Sequence, residues 1–300
     1  MNPARRSTDL AHVRAWYAEE LRFVANIESE AVVAAFAAVP RERFLGEGPW
    51  QIWTTSTPRD PYRPHLGYRT TPDADPAHVY HNVAIALDAG RQINNGQPSA
   101  VASWLDLLAL APGMTAYHVG AGTGYYTAIL AHIVGATGRV AAVEIDEALA
   151  RTAQARLAAF RHVDLVHATA GTHDPGPVDA MLVSVGVTEP LPVWLSRLRP
   201  HGRMLLPLTF SLPGGTVGAG AMLAVHRLPT HIDARFLPGQ ILIYSGIDLR
   251  TDEANDRLGR AFGRGGSDAV RSLRTPAHAE DGTCWLHGTT CCLSTIEGGV

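Results

Sequence analysis

The sequence predicts an α/β fold: a three-layer sandwich in which helices cover both faces of a mostly parallel sheet. Residues 115–146 have the pattern of a βαβ unit, with a strand, a glycine turn, a helix, a second turn and a second strand. Strand and helix patterns continue to alternate after this unit, as they do in parallel sheets. The chain has 300 residues, 46% of them hydrophobic, and can bury a large core in one enlarged domain or in two.

Two helical patterns open the chain. The first repeats apolar residues at helical spacing: Leu10, Val13, Tyr17, Leu21 and Val24. The second is the alanine-rich stretch 29–39, and Pro40 ends it because proline cannot continue a helix.

Residues 46–77 show no period and are rich in Pro, Gly, Thr and Asp, so we predict a long irregular segment. Segments of this kind in compact domains are often binding loops or lids. Four aromatic residues favour a loop packed on the body over a free linker: Trp50, Trp53, Tyr62 and Tyr68.

A polar stretch then precedes the βαβ unit. Residues 80–87 are predicted to form a short strand, and Pro98 suits the first turn of a helix that runs to about Leu110. Side-chain amides crowd the entry to this helix, where they could hold an acceptor group together with free N–H groups. The same residues would also suit a turn in which asparagine tolerates a left-handed backbone, and both interpretations stay open.

The βαβ unit carries the nucleoside-binding signal. Its first strand runs into Gly120, Gly122 and Gly124, which permit a tight turn and bring backbone N–H groups close to a ligand. Its second strand ends at Glu144, about 20 residues further on, where a carboxylate can accept both hydroxyls of a ribose. A dinucleotide site would need the spacing G-x-G-x-x-G, whereas this turn is G-x-G-x-G followed by the bulky Tyr125. The pattern therefore argues against NAD.

The remaining chain is predicted to complete the sheet. We expect a helix over 146–160 with Asp146 as its N-cap, and a short helix over 192–198 before a turn at 200–202. The predicted strands are 163–167, 179–184, 203–208, 217–226 and 240–245. A polar helix over 252–273 and a final strand over 284–293 close the chain.

All three cysteines lie in that last predicted strand. Cys291 and Cys292 would point to opposite faces of it, and with Cys284 and His287 they offer metal-ligand residue types. Zinc sites usually show paired C-x-x-C spacing, which is missing here. We therefore predict buried thiols and no metal site.

Composition excludes several function classes. The net charge of −3 does not favour nucleic-acid binding. All 25 basic residues are arginines, which excludes Schiff-base chemistry and a lysine general base. The sequence shows neither the apolar core of a secretory signal nor an uncharged run of about 20 apolar residues, so we predict a cytoplasmic protein that does not bind membranes. The sequence does not determine the oligomeric state.

Several motifs together resemble one family along roughly residues 27–245. They are V-P-R-E-R-F at 39–44, N-N-G-Q-P at 94–98, V-G-A-G-T-G-Y-Y at 119–126, V-D-A-M-L-V at 178–183 and L-R-P-H-G-R-M-L-L-P at 198–207. These are similar to V-P-R-x-x-F, T-I-S-Q-P, I-G-T-G-S-G-Y, F-D-A-I-I-V and L-K-P-G-G-R-L-V-I-P of the protein-L-isoaspartate O-methyltransferases. F-L-P at 236–238 is similar to the family's F-V-P.

The resemblance implies a class I methyltransferase with a Rossmann-like fold and S-adenosyl-L-methionine as its cofactor. It implies methyl transfer to a carboxylate on a peptide, a protein or a small molecule. The cofactor-binding residues that it implies are Gly120, Gly122, Gly124, Glu144, His118 and Thr169. The residues that it implies at the acceptor are Asn94, Asn95, Gln97 and Ser99.

Three of these positions depart from the family pattern. Gly96 replaces the serine before Q-P, and His118 and Thr169 replace acidic residues. Two alternatives follow: a methyltransferase that acts on a biosynthetic peptide or a small molecule, and a non-catalytic relative that binds the nucleoside. We expect three segments: 1–110 with the N-terminal helices, long loop and acceptor residues, 111–250 with the cofactor-binding core, and 251–300 with the last helix and strand.

Overall fold

The computed structural model describes residues 9–54, 67–211, 214–246, 248–274 and 278–298. Within these ranges there are seven α-helices: α1 Leu10–Val24, α2 Glu30–Ala38, α3 Pro98–Leu107, α4 Tyr125–Val134, α5 Glu147–Leu157, α6 Pro192–Arg197 and α7 Asp252–Arg264. The same ranges contain fifteen strands: β1 Gln51–Thr54, β2 Gly67–Thr70, β3 Ala86–Asp88, β4 Ile93–Asn94, β5 Thr115–Val119, β6 Arg139–Glu144, β7 Val163–His167, β8 Val178–Val183, β9 Leu198–Phe210, β10 Val217–Arg227, β11 Ile232–Phe236, β12 Ile241–Tyr244, β13 Ser272–Arg274, β14 Cys284–His287 and β15 Cys292–Ser294.

One large sheet organises the molecule. Its parallel half has the order β7-β6-β5-β8-β9, so the chain reverses its direction of progress between β5 and β8. The other half is antiparallel and continues from β9 through β10, β11, β13 and β15 to β14, while β12 pairs with β10. The predicted α/β fold is confirmed, and the C-terminal elaboration extends the same sheet.

The core lies on both faces of this sheet. Successive residues of β5 alternate between the two: Ala116 packs in a cluster with α1 to α5, and Tyr117 packs in a cluster with α6 and α7. The three-segment division stays a prediction. The first cluster joins the N-terminal helices to the parallel strands, and the sheet continues beyond residue 250.

Helix starts follow their capping residues. Ser29 and Thr251 cap α2 and α7, and Asp146 caps α5 as predicted, with its carboxylate accepting from the Leu149 N–H at 3.0 Å. α1 matches its prediction except at Val24, which is 58% exposed rather than on the buried stripe.

The segment 46–77 is more regular than predicted. Strands β1 and β2 pair antiparallel, with Trp53 opposite Tyr68 and their ring centroids 5.2 Å apart. Trp50 is buried, which agrees with a segment packed on the body. Residues 55–66, with Tyr62, lie outside the described ranges.

The predicted strand at 80–87 is mostly wrong. Only β3 and a bridge at Ile85 have strand character, because the carbonyls of Val79, His81 and Val83 accept from the Arg41 guanidinium instead of from a neighbouring strand. The segment 79–83 therefore bends around the buried guanidinium of Arg41.

The predictions for the C-terminal third of the chain need four corrections. Helix α7 stops at Arg264, because Gly265 and Gly266 both take a φ of 75° and leave the helical region. The sequence analysis missed β11 and β13, and the single strand predicted over 284–293 is the hairpin β14–β15. The predicted turn at 200–202 is a bulge within β9, where His201 has a φ of 66°.

Candidate functional site: the glycine turn and its surroundings

The glycine turn joins β5 to α4 at the carboxyl edge of the parallel strands. Gly120, Gly122 and Gly124 have φ values of 77°, 58° and 96°, a region that favours glycine. A Cβ on Gly120 would lie 2.6 Å from Val185 Cγ1, and one on Gly124 would lie 2.9 Å from Leu157 Cδ1. These two glycines therefore permit close packing against the segment after β8 and against α5.

Gly122 has a different neighbour. A Cβ there would lie 3.2 Å from Cδ1 of Leu87 in β3. Leu87 is thus a wall of the site opposite the middle of the glycine turn. The β3 segment is tied to the tip of β6 by Arg91, which binds Asp88 and Asp146 at 2.6 Å each.

Glu144 stands at the end of β6 and is 7% exposed. Its Oε2 accepts from the Gly122 N–H at 2.7 Å, and its Oε1 accepts from the Asp146 N–H at 3.0 Å. Burial raises the pKa of this carboxyl, and the two backbone N–H groups partly oppose the rise. Each oxygen retains a lone pair, so the carboxylate can still accept from a ligand hydroxyl.

His118 lies in β5 just before the turn and is 1% exposed. Its Nδ1 is 2.8 Å from Thr127 Oγ1 in α4, and its Nε2 is 3.0 Å from Ser184 Oγ at the end of β8. Burial lowers the pKa of His118 to about 3, so the ring is neutral near pH 7. Both ring nitrogens are engaged, so His118 connects β5 to α4 and to the end of β8.

Thr169 lies in the loop after β7. Its hydroxyl donates to the Asp248 carboxylate and accepts from the Gly171 N–H at 3.1 Å. The acidic side chain of Asp248 thus lies beside Thr169, which is itself the position at which the family pattern has an acidic residue. Asp248 comes from a distant part of the chain, and no sequence motif pointed to it.

Asn95 lies in the segment predicted to orient the acceptor, and it is 7% exposed. Its Oδ1 accepts from the Ile85 N–H at 3.1 Å and from Arg41 Nη2 at 3.2 Å. Its Nδ2 is buried and has no hydrogen-bond partner among the described residues. Asn95 therefore links the predicted acceptor segment to the buried Arg41, and its amide NH₂ is a buried donor.

The other predicted acceptor residues lie around the start of α3. Asn94 Oδ1 accepts from the Tyr68 hydroxyl at 2.8 Å, while Gln97 is exposed at the N-cap position. The Ser99 N–H donates to Asn82 Oδ1 at 2.9 Å, so Asn82 supplies the capping contact that the helix lacks from Gln97.

Sequence reasoning missed several residues that shape this site. Arg41 was visible only as part of the V-P-R motif, and its burial carried no signal of its own. Ser184 could have been expected at the carboxyl end of β8, because ligands in open α/β sheets bind where the strand order reverses. Asn82 and Asp248 lie in irregular segments, and Leu87 lies in the three-residue strand β3; no local pattern reveals the path of the chain there.

Comparison with known proteins agrees with this geometry. Residues 69–212 match the family model for protein-L-isoaspartate(D-aspartate) O-methyltransferase. A protein-L-isoaspartate O-methyltransferase of Methylorubrum extorquens is 31% identical over 210 residues, covering 69% of this chain and 78% of the relative. The relative in Thermotoga maritima is 27% identical over 190 residues, covering 61% of this chain and 52% of its own length.

Solved structures show the same fold. One, a protein-L-isoaspartate O-methyltransferase, has a TM-score of 0.59 and 21% identity, covering 86% of this chain and 71% of its own. Another is a protein-L-isoaspartate O-methyltransferase structure from Plasmodium falciparum in complex with S-adenosyl-L-homocysteine. It has a TM-score of 0.57 and 15% identity, and the match covers 79% of this chain and 98% of the other. On the identity and coverage of the Methylorubrum relative, the chain belongs to the protein-L-isoaspartate O-methyltransferase family of S-adenosylmethionine-dependent methyltransferases.

Proposed function

We propose that this protein transfers a methyl group from S-adenosylmethionine to a carboxylate on a peptide or protein. The observation that carries the proposal is the pairing of the glycine turn with the buried Glu144 carboxylate, beside the strand-order reversal of a chain in this family. S-adenosylmethionine supplies an activated methyl group on a sulfonium.

The residues present fit this cofactor. The positive φ of Gly122 and the space its missing Cβ leaves beside Leu87 allow close backbone approach. Glu144 would hold the ribose hydroxyls, and Thr169 with Asp248 would supply polar contacts at the next strand end.

The acceptor carboxylate does not need to be deprotonated by the protein. A carboxylate has a pKa near 4 and is already ionised at neutral pH, so no general base is required. His118 is unsuited to that role, because its pKa is about 3 and both ring nitrogens are engaged. The protein's contribution is to position the carboxylate at a near-attack distance of roughly 3–3.5 Å.

The start of α3 is our proposed acceptor side. The dipole of this ten-residue helix attracts a carboxylate to its N-terminus. Asn94, Gln97 and Ser99 surround that helix start, and the unpartnered Nδ2 of Asn95 is a further donor. We propose that these four side chains orient the acceptor.

A second candidate acceptor surface lies partly outside the stretch that matches the family model. A groove near Gln92 is lined by Phe210, Val217 and Leu242. Val217 and Leu242 lie beyond the stretch 69–212 that matches the family model. The C-terminal part of this chain thus contributes to a surface that the matched stretch alone would not form.

A transfer assay tests the proposal. The protein is incubated with methyl-labelled S-adenosylmethionine and an isoaspartyl peptide, beside the aspartyl twin of that peptide. We expect cofactor binding by calorimetry and label that alkali releases as methanol, because carboxyl methyl esters hydrolyse in base. Alkali-stable label would reject carboxyl methylation. Binding without transfer would reject both peptides as acceptors and leave the two alternatives, a different acceptor or a non-catalytic relative.

Within the described ranges, no helix is long and apolar enough to cross a membrane. We propose a cytoplasmic location on a separate observation: Cys284, Cys291 and Cys292 are all free thiols, as is usual in a reducing compartment. Fractionation of the host cell would test it.

A further inference from the structure

Two cysteines and two histidines converge at the C-terminal hairpin. The possible ligand atoms of His278, Cys284, His287 and Cys292 all lie within 4.8 Å of one another. Cys284 Sγ is 3.5 Å from His278 Nε2 and 3.8 Å from His287 Nδ1. The two imidazole rings stand nearly perpendicular, at 87°, with centroids 4.9 Å apart. Four ligand groups of the types that zinc prefers thus share one small volume.

The strand register explains why these side chains meet. His287 of β14 lies directly opposite Cys292 of β15, so both point to the same face of the sheet. Cys284 is three residues before His287 and would ordinarily point to the other face. The register shifts between Cys284 and Leu286, and the extra residue of this bulge brings Cys284 back to the face of His287.

The distances between these ligand atoms fit the tetrahedral coordination of one zinc ion. With Zn–S bonds of about 2.3 Å and Zn–N bonds of about 2.0–2.1 Å, neighbouring ligand atoms of a tetrahedron lie about 3.3–3.8 Å apart. The distances from Cys284 Sγ to His278 Nε2 and to His287 Nδ1 both fall in this interval. We propose that His278, Cys284, His287 and Cys292 bind one structural zinc ion.

Neighbouring groups would support two thiolates. Arg274 lies opposite Cys292 on the far side of β15, and its Nη2 is 3.7 Å from Cys284 Sγ and 3.8 Å from Cys292 Sγ. The Asp281 N–H donates to Cys284 Sγ at 3.5 Å. Such outer contacts orient metal ligands and stabilise their ionised form. Each thiol releases its proton to solvent on binding, and two thiolates with two neutral imidazoles balance the charge of Zn²⁺.

The site would be structural rather than catalytic. Four protein ligands close the coordination sphere, which leaves no position for water or substrate. Seven strand steps separate β14 from β5, about 30 Å at the usual strand spacing, so the ion would lie far from the glycine turn. It would join the segment at His278 to two strands of the sheet's short outer edge.

The sequence prediction of no metal site rested on the missing C-x-x-C pair. The ligands here follow the spacing H-x₅-C-x₂-H-x₄-C, which a linear search for paired cysteines misses. As the sequence analysis expected, the neighbours Cys291 and Cys292 differ: Cys291 packs in the apolar core, whereas Cys292 is in the cluster.

Cys291 provides a matched control for Cys292, because it lies next to it in the chain but outside the cluster. We would measure the zinc content of the purified full chain by mass spectrometry, and then replace zinc by cobalt(II) and record the visible spectrum. One zinc per chain is expected in the wild type and in Cys291→Ser, with the spectrum of a tetrahedral cobalt–thiolate site. Cys292→Ser and His287→Ala are expected to lose the zinc.

Three results would overturn the site. The first is a zinc-free wild type after expression with added zinc, together with a cobalt spectrum that lacks thiolate charge transfer. The second is full zinc retention in a folded Cys292→Ser variant. The third is a disulfide between Cys284 and Cys292, seen as two missing thiols in the isolated protein. If the variants do not fold, the wild-type cobalt spectrum decides alone.

Discussion

Glu144 has a structural task besides its proposed contact with the cofactor. Both carboxylate oxygens accept a backbone N–H, one from Gly122 in the glycine turn and one from Asp146 at the start of α5. The sequence could place Glu144 at the tip of β6, because the strand pattern ends there. It could not show that the same carboxylate fixes the conformation of Gly122, since that contact joins residues 22 positions apart.

Glu144→Gln is expected to weaken cofactor binding. Glutamine has one acceptor oxygen in place of two and no charge, so it would hold the ribose hydroxyls less well, at a cost of about 1–3 kcal/mol in binding free energy. Calorimetric titration with S-adenosylmethionine measures this. Glu147→Gln, an exposed change in the first turn of α5, is the control and should bind normally. An unchanged dissociation constant for Glu144→Gln would remove Glu144 from the site.

His118 is expected to make stability depend on pH. Its pKa falls from 6.5 to about 3 on folding, so the unfolded chain binds a proton that the folded chain does not. As pH falls from 6.5 towards 3, this residue should lower the unfolding free energy by up to about 1.4 kcal/mol per pH unit. Urea titrations across this range should show a shallower loss in His118→Asn, which has no titrating group.

The exposed His132 provides the comparison. His132→Asn should keep the full pH dependence of the wild type, because this side chain is in solvent. Equal slopes for the wild type and His118→Asn would contradict a buried, neutral His118.

At the scale of elements, Arg41 organises the segment before α3. Its side chain is fully buried, and two of its nitrogens donate to the carbonyls of Val79, His81 and Val83 and to Asn95 Oδ1. The guanidinium carbon also lies 5.9 Å from the ring centroids of two tyrosines, Tyr17 and Tyr125. One cation thus holds together α1, α4 and the acceptor segment.

Arg41→Lys is expected to destabilise the protein and displace Asn95. A single ammonium cannot reproduce the planar fork that reaches four acceptors, and losing even one charge-assisted bond costs about 1.5–3 kcal/mol. Chemical unfolding would measure this cost, with the exposed Arg43→Lys as a control expected to stay within about 0.5 kcal/mol of wild type. Equal stability of the two variants would show that Arg41 does not organise the segment.

Sequence patterns predicted the elements unevenly, for a physical reason. From β5 to β8 the strands are mostly apolar runs, each followed by a turn or helix signal, so the sequence pattern located every element to within a few residues. Beyond β10 the strands are antiparallel and have five residues or fewer, and their starts depend on pairing with distant strands. β13 has three residues and pairs with β11 and β15, and no local pattern of that length separates a strand from a turn.

At the scale of the whole molecule, the cofactor side and the acceptor side were predictable to different degrees. The cofactor side is built from one contiguous βαβ unit, and its glycines and Glu144 were found from spacing alone. The proposed acceptor side lies at the start of α3, and the groove near Gln92 is lined by residues from distant strands, Phe210, Val217 and Leu242. Their meeting depends on tertiary packing, so sequence could name Asn94 to Ser99 but not their surroundings.

Gly96 sets our expectation for the acceptor. Its φ is 78°, and the Tyr126 hydroxyl donates to its carbonyl at 3.4 Å. The related family has a serine at this position, so this chain lacks one hydroxyl donor. Losing such a donor to a buried carboxylate costs about 1.5–3 kcal/mol, or roughly 10- to 150-fold in rate. We expect this protein to methylate an isoaspartyl peptide that much more slowly than a relative that carries the serine.

Steady-state kinetics on the isoaspartyl peptide measure this difference in rate. Two variants of residue 96 separate the effect of the missing hydroxyl from the effect of backbone strain. Any side chain at residue 96 is strained by the positive φ, and its Cβ would lie 3.4 Å from Tyr126 Cε2 and from Val101 Cγ2. Gly96→Ala and Gly96→Ser carry the same strain, but only serine restores a donor. We therefore expect Gly96→Ser to exceed Gly96→Ala in kcat/KM on the isoaspartyl peptide while both bind the cofactor alike. Equal kcat/KM values for the two variants would mean that the missing hydroxyl does not limit this acceptor, and the groove near Gln92 would then be the place to look for its specificity.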